Sequence, residues 1–142
     1  MVQLDMKHVT KEREDVWFEL SSLFLDTEPS EADLLMIAER VAESSFSLEE
    51  LISIMEDEVA PILHGNLLLV AGQWGCFNRQ SDVVEPIKRR LQLIPDVRKN
   101  GWFPFAYLRR RVHMMVVKDD WQKVLAHIRR FKDSTASGAQ NA

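Results

Sequence analysis

The amino-acid sequence predicts an all-α fold: a single-domain bundle of six or seven helices around one central apolar helix. Apolar residues recur at helical spacing through most of the chain, and no segment shows the sustained alternation typical of a strand. One run, residues 59–71, is apolar on nearly every side, which is typical of a helix in the middle of a core. A chain of 142 residues with 46% hydrophobic residues is long and apolar enough to form one domain.

The central run is uncharged, since no charged residue occurs between Glu58 and Arg79. Pro61 fits the first turn of a helix, where a missing N–H costs little, and Gly72 is expected to close that helix. Polar and helix-breaking residues interrupt the run, and its continuous apolar part is only residues 67–71. Because a membrane-spanning helix needs about 20 apolar residues, we interpret the run as a buried helix.

Hydroxyl side chains mark the starts of the first three helices. Thr10 is a candidate N-cap for the first helix. Ser30 with Asp33, and Ser47 with Glu50, have the spacing of a capping box, in which each side chain accepts from the backbone N–H of the other residue. The apolar faces predicted for these helices are Val16, Trp17, Leu20, Leu23 and Phe24; Leu34, Ile37, Ala38, Val41 and Ala42; and Leu48, Leu51, Ile52 and Met55.

The later helices have their own start and stop signals. The third helix is expected to end in the acidic run 56–58, just before the central helix. Ser81 is a candidate N-cap for the fifth helix, Pro95 is expected to end it, and Asp119 or Asp120 is expected to cap the seventh. The apolar faces predicted for the last three helices are Val83, Val84, Ile87, Leu91 and Ile94; Tyr107, Leu108, Val112, Met115 and Val116; and Trp121, Val124, Leu125, Ile128 and Phe131.

The domain organisation follows from composition. We expect residues 1–133 to form the single helical domain and residues 134–142, which are small and polar, to be a disordered tail. The N-terminus shows no apolar targeting segment, so we expect a cytoplasmic protein. The single cysteine, Cys76, cannot form an internal disulfide. It lies between Gly75 and Phe77 and is expected to be a small buried residue.

Charge is distributed unevenly along the chain, although the formal net charge is only −4. Residues 1–60 contain 16 Asp or Glu and 4 Lys or Arg, whereas residues 61–142 contain 6 and 14. Part of this asymmetry should be matched inside a compact domain. The remainder predicts an acidic face and a basic face on the surface.

The acidic face is predicted to bind a partner with a basic surface. The residues proposed for it are Asp26, Glu28, Glu49, Glu50, Glu56, Asp57 and Glu58. Complementary charge steers association and fixes register, and a nuclease surface is basic where it holds phosphates. The simpler interpretation, that these carboxylates only keep the protein soluble, stays open.

The basic residues of the C-terminal half offer an alternative function. Lys88-Arg89-Arg90, Arg109-Arg110-Arg111 and Arg129-Arg130 with Lys132 could form one phosphate-binding face. The protein would then be a nucleic-acid-binding or regulatory helical module. The sequence pI of about 5.6 is low for constitutive binding of nucleic acid, and the same cations could pair with the acidic half instead.

Catalytic motifs are missing from the sequence. It contains no Gly-rich phosphate loop and no His-Glu-x-x-His, and its four histidines are isolated along the chain. His64 is expected to be a hydrogen-bonded core or cap histidine rather than a ligand. We therefore expect a protein that is not an enzyme and that uses neither a cofactor nor a metal.

Two segments, residues 16–28 and residues 58–74, carry a family resemblance. They resemble a family of short, uncharacterised proteobacterial proteins that look like immunity proteins of secreted type VI toxin systems. The resemblance extends over most of residues 10–130. It implies no catalytic residues, and it gives no role for the Leu-Phe-Leu-Asp-Thr-Glu element at 23–28, which is expected to end the first helix.

The resemblance and the charge pattern together predict a cytoplasmic immunity protein. Such a protein would bind a cognate secreted toxin, a basic nuclease effector with a restriction-endonuclease-like domain, and would neutralise it by stoichiometric inhibition. An alternative contact surface is an apolar patch around Trp102 and Phe103. Neither the toxin nor the oligomeric state is fixed by the sequence.

Overall fold

A computed structural model of the chain describes residues 9–25, 28–68, 77–93 and 111–140. These residues form helices and turns and contain no strand, so the predicted all-α single-domain bundle is confirmed. The α-helices are α1 (Lys11–Ser21), α2 (Glu31–Ala42), α3 (Leu48–Ser53), α4 (Ala60–Leu68), α5 (Glu85–Leu93) and α6 (Lys118–Gln140). No helix in the described part of the chain is long and apolar enough to cross a membrane.

The predicted caps of the first three helices are present. The Thr10 hydroxyl accepts from the backbone N–H of Arg13 at 3.2 Å, and a 3-10 turn, Ser22–Phe24, follows α1. Both capping boxes before α2 and α3 are complete. These caps satisfy N–H groups that have no partner within the helix, and they set where each helix begins.

Helices α3 and α4 belong to one continuous helical stretch, because the π-helical segment Ile54–Val59 joins them. The prediction that a helix ends in this acidic run was therefore wrong. The backbone N–H of Ala60 donates to the carbonyl five residues back, and this wider turn accommodates Pro61, whose ring would clash in a regular helix. Pro61 has no N–H to offer the carbonyl of Asp57, and that carbonyl accepts from Arg90 Nη1 at 2.8 Å.

The core lies where α1, α2, the 48–68 stretch and α6 meet. Trp17 of α1 is fully buried at its centre, and Val59, Ala60 and Leu63 of the predicted central run are also buried. The predicted inward positions of α1, α2 and α6 are confirmed, apart from Ala42 and Phe131, which are half-buried. Their fully or nearly fully buried side chains are Val16, Trp17, Leu20, Leu23, Phe24, Leu34, Ile37, Ala38, Val41, Trp121, Val124, Leu125 and Ile128.

Helices α2 and α6 run parallel along each other. Lys123 Nζ, in the second turn of α6, lies 2.6 Å from Glu31 Oε1 in the first turn of α2. About two and a half turns later, Lys132 Nζ donates at 2.8 Å to the carbonyl of Phe46, which lies just beyond the end of α2. The N-terminal ends of both helices therefore lie side by side.

Two helix starts differ from their predictions. A second π-helical segment, Arg79–Val84, precedes α5, and Asn78 caps it instead of Ser81 by accepting from two backbone N–H groups. Helix α6 begins at Lys118, so the two aspartates expected as caps lie in its first turn. In both cases the start of the helix is shifted by a few residues. Several neighbouring polar side chains could act as the cap, so the sequence does not single out one of them.

The face predicted for the sixth helix is wrong in its described part. Residues 111–114 are helical and residues 115–117 form a turn. Met114 and Val117 are buried, whereas Val112, Met115 and Val116 are 53%, 67% and 44% exposed. The turn breaks the helical period here, so spacing along the sequence no longer indicates which side chains face inward.

The last helix is longer than the composition indicated. The sequence predicted a disordered tail over 134–142, but α6 continues to Gln140, and residues 133–138 are exposed along it. The Thr135 hydroxyl donates to the carbonyl of Phe131 at 2.9 Å. Each residue added to an existing helix gains a backbone hydrogen bond without a new nucleation step. The last residues can therefore be helical without packing against the rest of the domain.

Candidate functional site

The acidic residues predicted to form one docking face lie in different environments. Glu28, Glu49 and Glu50 are exposed, Glu56 and Asp57 are half-buried, Glu58 is buried, and Asp26 lies outside the described residues. The Glu50 carboxylate accepts from the N–H of Ser47 at 2.7 Å, so part of its hydrogen-bonding capacity closes a helix cap. Within the described residues, the predicted set is therefore not uniformly available to a partner.

Glu58 is removed from the predicted docking face, because its side chain is only 3% exposed. Its two carboxylate oxygens accept from Arg13 Nε at 2.8 Å and Arg13 Nη2 at 2.5 Å, and Trp17 Nε1 donates to Oε1 at 3.0 Å. The guanidinium of Arg13 also lies 5.5 Å from the ring centre of Phe46. This arrangement is a buried, bidentate ion pair with a third donor, which holds α1 against the π-helical segment.

The helical period contained a signal for this burial. Leu51, Ile54, Met55 and Val59 are all buried, and Glu58 falls on the same stripe at the spacing i, i+3, i+4, i+7, i+8. Because Glu58 directly follows Glu56 and Asp57, its charge alone indicated an exposed side chain. Its partner, Arg13, lies 45 residues away in sequence, and only the fold brings the two side chains together.

A second acidic surface, which the sequence did not single out, lies in a groove between α1 and α2. Its volume is about 330 Å³, and its lining residues are Glu12, Asp15, Val16, Glu19, Arg40, Val41, Glu43, Ser44 and Arg79. The Glu12 carboxylate accepts from the backbone N–H and the hydroxyl of Ser45 at 2.5 and 2.8 Å. These hydrogen bonds hold the pKa of Glu12 below its usual value.

Carboxylates also gather where α2 and α6 begin, and we name Glu28, Glu31, Asp119 and Asp120 the acidic N-terminal cluster. Glu31 pairs with Lys123, whose hydrogen bond and charge lower the pKa of Glu31. Burial raises the pKa of Asp120, and repulsion from Glu28 adds to the effect, although Lys123 opposes it. The positive ends of two helix dipoles favour negative charge here, which helps to hold the cluster together.

Within the described residues, five cations of the C-terminal half bind groups of this same chain. The contacts are Arg79 with Asp15, Lys88 with Glu14, Lys123 with Glu31, and Arg90 and Lys132 with the backbone carbonyls of Asp57 and Phe46. Three of these contacts are ion pairs that join the acidic half to the basic half. The expected matching of the two halves inside the domain is therefore present.

The predicted basic clusters are only partly on the surface. Within the described residues, Lys88 and Arg90 of the 88–90 cluster make contacts inside the domain and Arg89 is exposed. Arg129 and Arg130 are exposed on α6. Residues 109–110 of the remaining cluster lie outside the described part of the chain.

His64 has the hydrogen-bonded position that the sequence predicted. Its Nδ1 lies 3.0 Å from the carbonyl of Ala60, one turn earlier in α4, and its ring stacks on His113 with a centroid separation of 4.1 Å. No group of three or more His, Cys, Asp or Glu that could hold a metal occurs among the described residues. Cys76 and the Trp102–Phe103 patch lie outside them.

Comparison with known proteins gave one match. A family model described as a domain of unknown function (DUF7079) matches residues 11–127, a stretch that begins with α1 and ends within α6. No curated protein and no solved structure matches the chain. The family description assigns no activity, so any function must be argued from the surface itself.

Proposed function

The chain belongs to the DUF7079 family, and we propose that it is a cytoplasmic immunity protein. In this proposal it binds a cognate secreted toxin, a basic nuclease effector of a type VI system, and blocks it by stoichiometric inhibition. The protein acts by binding and performs no chemistry of its own. The type of toxin system comes from the sequence resemblance, and the chemistry of the partner comes from the surface charge.

The distribution of unmatched carboxylates is the observation that supports a basic partner. Within the described residues, Glu28, Glu39, Glu43 and Glu49 are exposed and take part in no ion pair. The exposed cations Arg89, Arg129 and Arg130 form no ion pair with these glutamates. The first half of the chain therefore presents uncompensated negative charge, which favours and accelerates association with a positively charged protein.

The test uses the purified product of the gene adjacent to the one that encodes this chain. If the proposal is right, the two proteins form a complex of fixed stoichiometry, and co-expression with this chain restores growth to a host that the neighbouring product kills. Absence of both complex formation and protection would overturn the proposal.

Charge reversals then identify the kind of partner. Glu39→Lys, Glu43→Lys and Glu49→Lys together should lower the association rate about tenfold or more and flatten its salt dependence, because they remove long-range steering. The matched control reverses Arg89, Arg129 and Arg130 to Glu and should leave that rate within about twofold. If the control set alone matters, and affinity for duplex DNA falls steeply with salt, the nucleic-acid-binding alternative replaces immunity.

A further inference from the structure

The outward face of α2 combines apolar and acidic side chains. Ala32, Leu35, Met36, Glu39 and Glu43 are all exposed and follow the spacing i, i+3, i+4, i+7, i+11 of one helical face. Leu35 and Met36 are 43% and 44% exposed. We name these five residues the outer face of α2.

The exposure of this apolar pair is not explained by the packing of the helix. The inward residues of α2 are already buried, with Leu34 at 1%, Ile37 at 5% and Val41 at 0% exposure. An amphipathic helix with a filled inner face ordinarily carries polar residues outside, where apolar side chains remain in contact with water. Adjacent exposed Leu and Met side chains are suited to contact with another molecule, and Met adapts readily to a partner's shape.

Negative charge flanks the apolar pair at both ends. The acidic N-terminal cluster lies at the start of α2, about one turn before Leu35, and Glu39 and Glu43 follow one and two turns after the pair. Burial raises the pKa of Asp120, and repulsion from the nearby carboxylates Glu28, Asp119 and Glu31 raises it further. Lys123 compensates one of these carboxylates, and the rest leave the face negative.

We propose that the outer face of α2 is the surface that docks the toxin, and that its partner is a basic protein groove with an apolar floor. Leu35 and Met36 would fill the floor, while lysine or arginine side chains at the rim would meet Glu39, Glu43 and the acidic N-terminal cluster. This is the arrangement in which a helix lays one face into a groove. The inference rests on the proposed function and places its docking site on the outer face of α2.

The charge pattern favours this occupant over the others that an exposed apolar face could bind. A second copy of the chain would bring the same carboxylates together, and like charges in an interface oppose binding. Anionic lipid headgroups and nucleic-acid phosphates would be repelled for the same reason. A basic protein surface satisfies both the apolar pair and the flanking carboxylates.

The experiment measures binding kinetics to the purified product of the adjacent gene. Leu35→Asn with Met36→Gln keeps the net charge and roughly the side-chain size but removes the apolar contacts. The pair should dissociate about tenfold faster or more while the association rate changes little, because apolar contacts at the centre of an interface act mainly on the off-rate. Both residues are exposed, so the variant should fold normally, as circular dichroism and thermal melting can verify.

The matched control is Met115→Gln, which changes a methionine that is 67% exposed outside α2. It should leave dissociation within about twofold. Hydrogen exchange supplies a second readout, since the amides of α2 should become more protected in the complex. Unchanged dissociation of the α2 variant, or protection confined to other helices, overturns this inference and leaves immunity standing. Failure of the unmodified chain to bind the neighbouring product overturns the proposed function and this inference with it.

Discussion

At the scale of single residues, Glu58 makes the contact that joins distant parts of the chain. The side chains of Glu58 and Arg13 are 3% and 15% exposed, and their charged groups form a bidentate pair. The cost of removing water from both charges largely offsets the attraction between them, so the net contribution of such a pair is small. The loss of one partner is costly, however, because the other charge then remains poorly solvated.

We predict that Glu58→Gln lowers the free energy of unfolding by about 3–5 kcal/mol, because it strands the Arg13 charge. Urea unfolding followed by tryptophan fluorescence measures the change. The comparison is Glu19→Gln, which breaks the exposed pair with Arg40 and should cost less than about 1 kcal/mol.

The double variant Arg13→Met with Glu58→Leu separates charge from packing. It should recover much of the stability that Glu58→Gln loses, because no unpaired charge remains. Equal losses for Glu58→Gln and Glu19→Gln would contradict the assignment of Glu58 to a buried pair.

At the scale of elements, α6 has two different parts. As far as Ile128, its inward side chains are buried against α2 and the core, whereas residues 133–138 are all exposed. The second part therefore contributes backbone hydrogen bonds within the helix but no burial of apolar surface. Most helical stability in proteins comes from packing, so this part should add little to the fold.

We predict that deleting residues 134–142 changes the free energy of unfolding by less than about 0.5 kcal/mol, since the side chains of residues 134–138 are exposed. Chemical denaturation of the full and shortened chains measures this. Deletion from residue 127 onward is the contrasting variant. It removes Ile128, which is 0% exposed, and should unfold the domain or destabilise it severely. A large loss from the shorter deletion would show that the end of α6 contacts the rest of the molecule.

At the scale of the whole molecule, hydrogen bonds hold several carboxylates of the acidic half, and one of them, to Glu31, comes from Lys123 in the basic half. Glu12, Glu31 and Asp33 all have a pKa below the usual value, and each accepts hydrogen bonds from Ser45, Lys123 or Ser30. A carboxyl group whose pKa is lower in the folded state contributes stability above its unfolded pKa, and that stability is lost as the pH falls through the folded pKa. Asp120, whose pKa is raised, acts in the opposite sense.

We therefore predict that stability declines as the pH falls below about 4, the usual range for Asp and Glu in unfolded chains. Urea unfolding midpoints between about pH 2.5 and 7 measure the decline. Glu12→Gln should make it shallower, because the variant has no charge to lose in that range. Glu49→Gln, an exposed change at the start of α3, should leave the profile unchanged. A profile of Glu12→Gln identical to that of the unmodified protein would contradict the role of the Ser45 contacts.

The sequence by itself determined the fold class, three helix caps and the inward faces of α1, α2 and α6. These features depend on residues within a few positions of one another, such as Ser30 with Asp33, and the helical period records them directly. The excess of acid in the first half was also visible in the sequence. It is a sum over residues and does not depend on where each side chain points.

Only the tertiary structure decided which carboxylates are available to a partner. It buries Glu58 with Arg13, pairs Glu31 with Lys123 across 92 residues, and leaves Glu39 and Glu43 on the surface beside Leu35 and Met36. These outcomes depend on which helices lie next to each other, and the chain encodes that through the simultaneous packing of many side chains. The sequence shows that a residue is acidic, and the local periodicity indicates whether it faces outward. Only the fold determines which distant residue lies next to it.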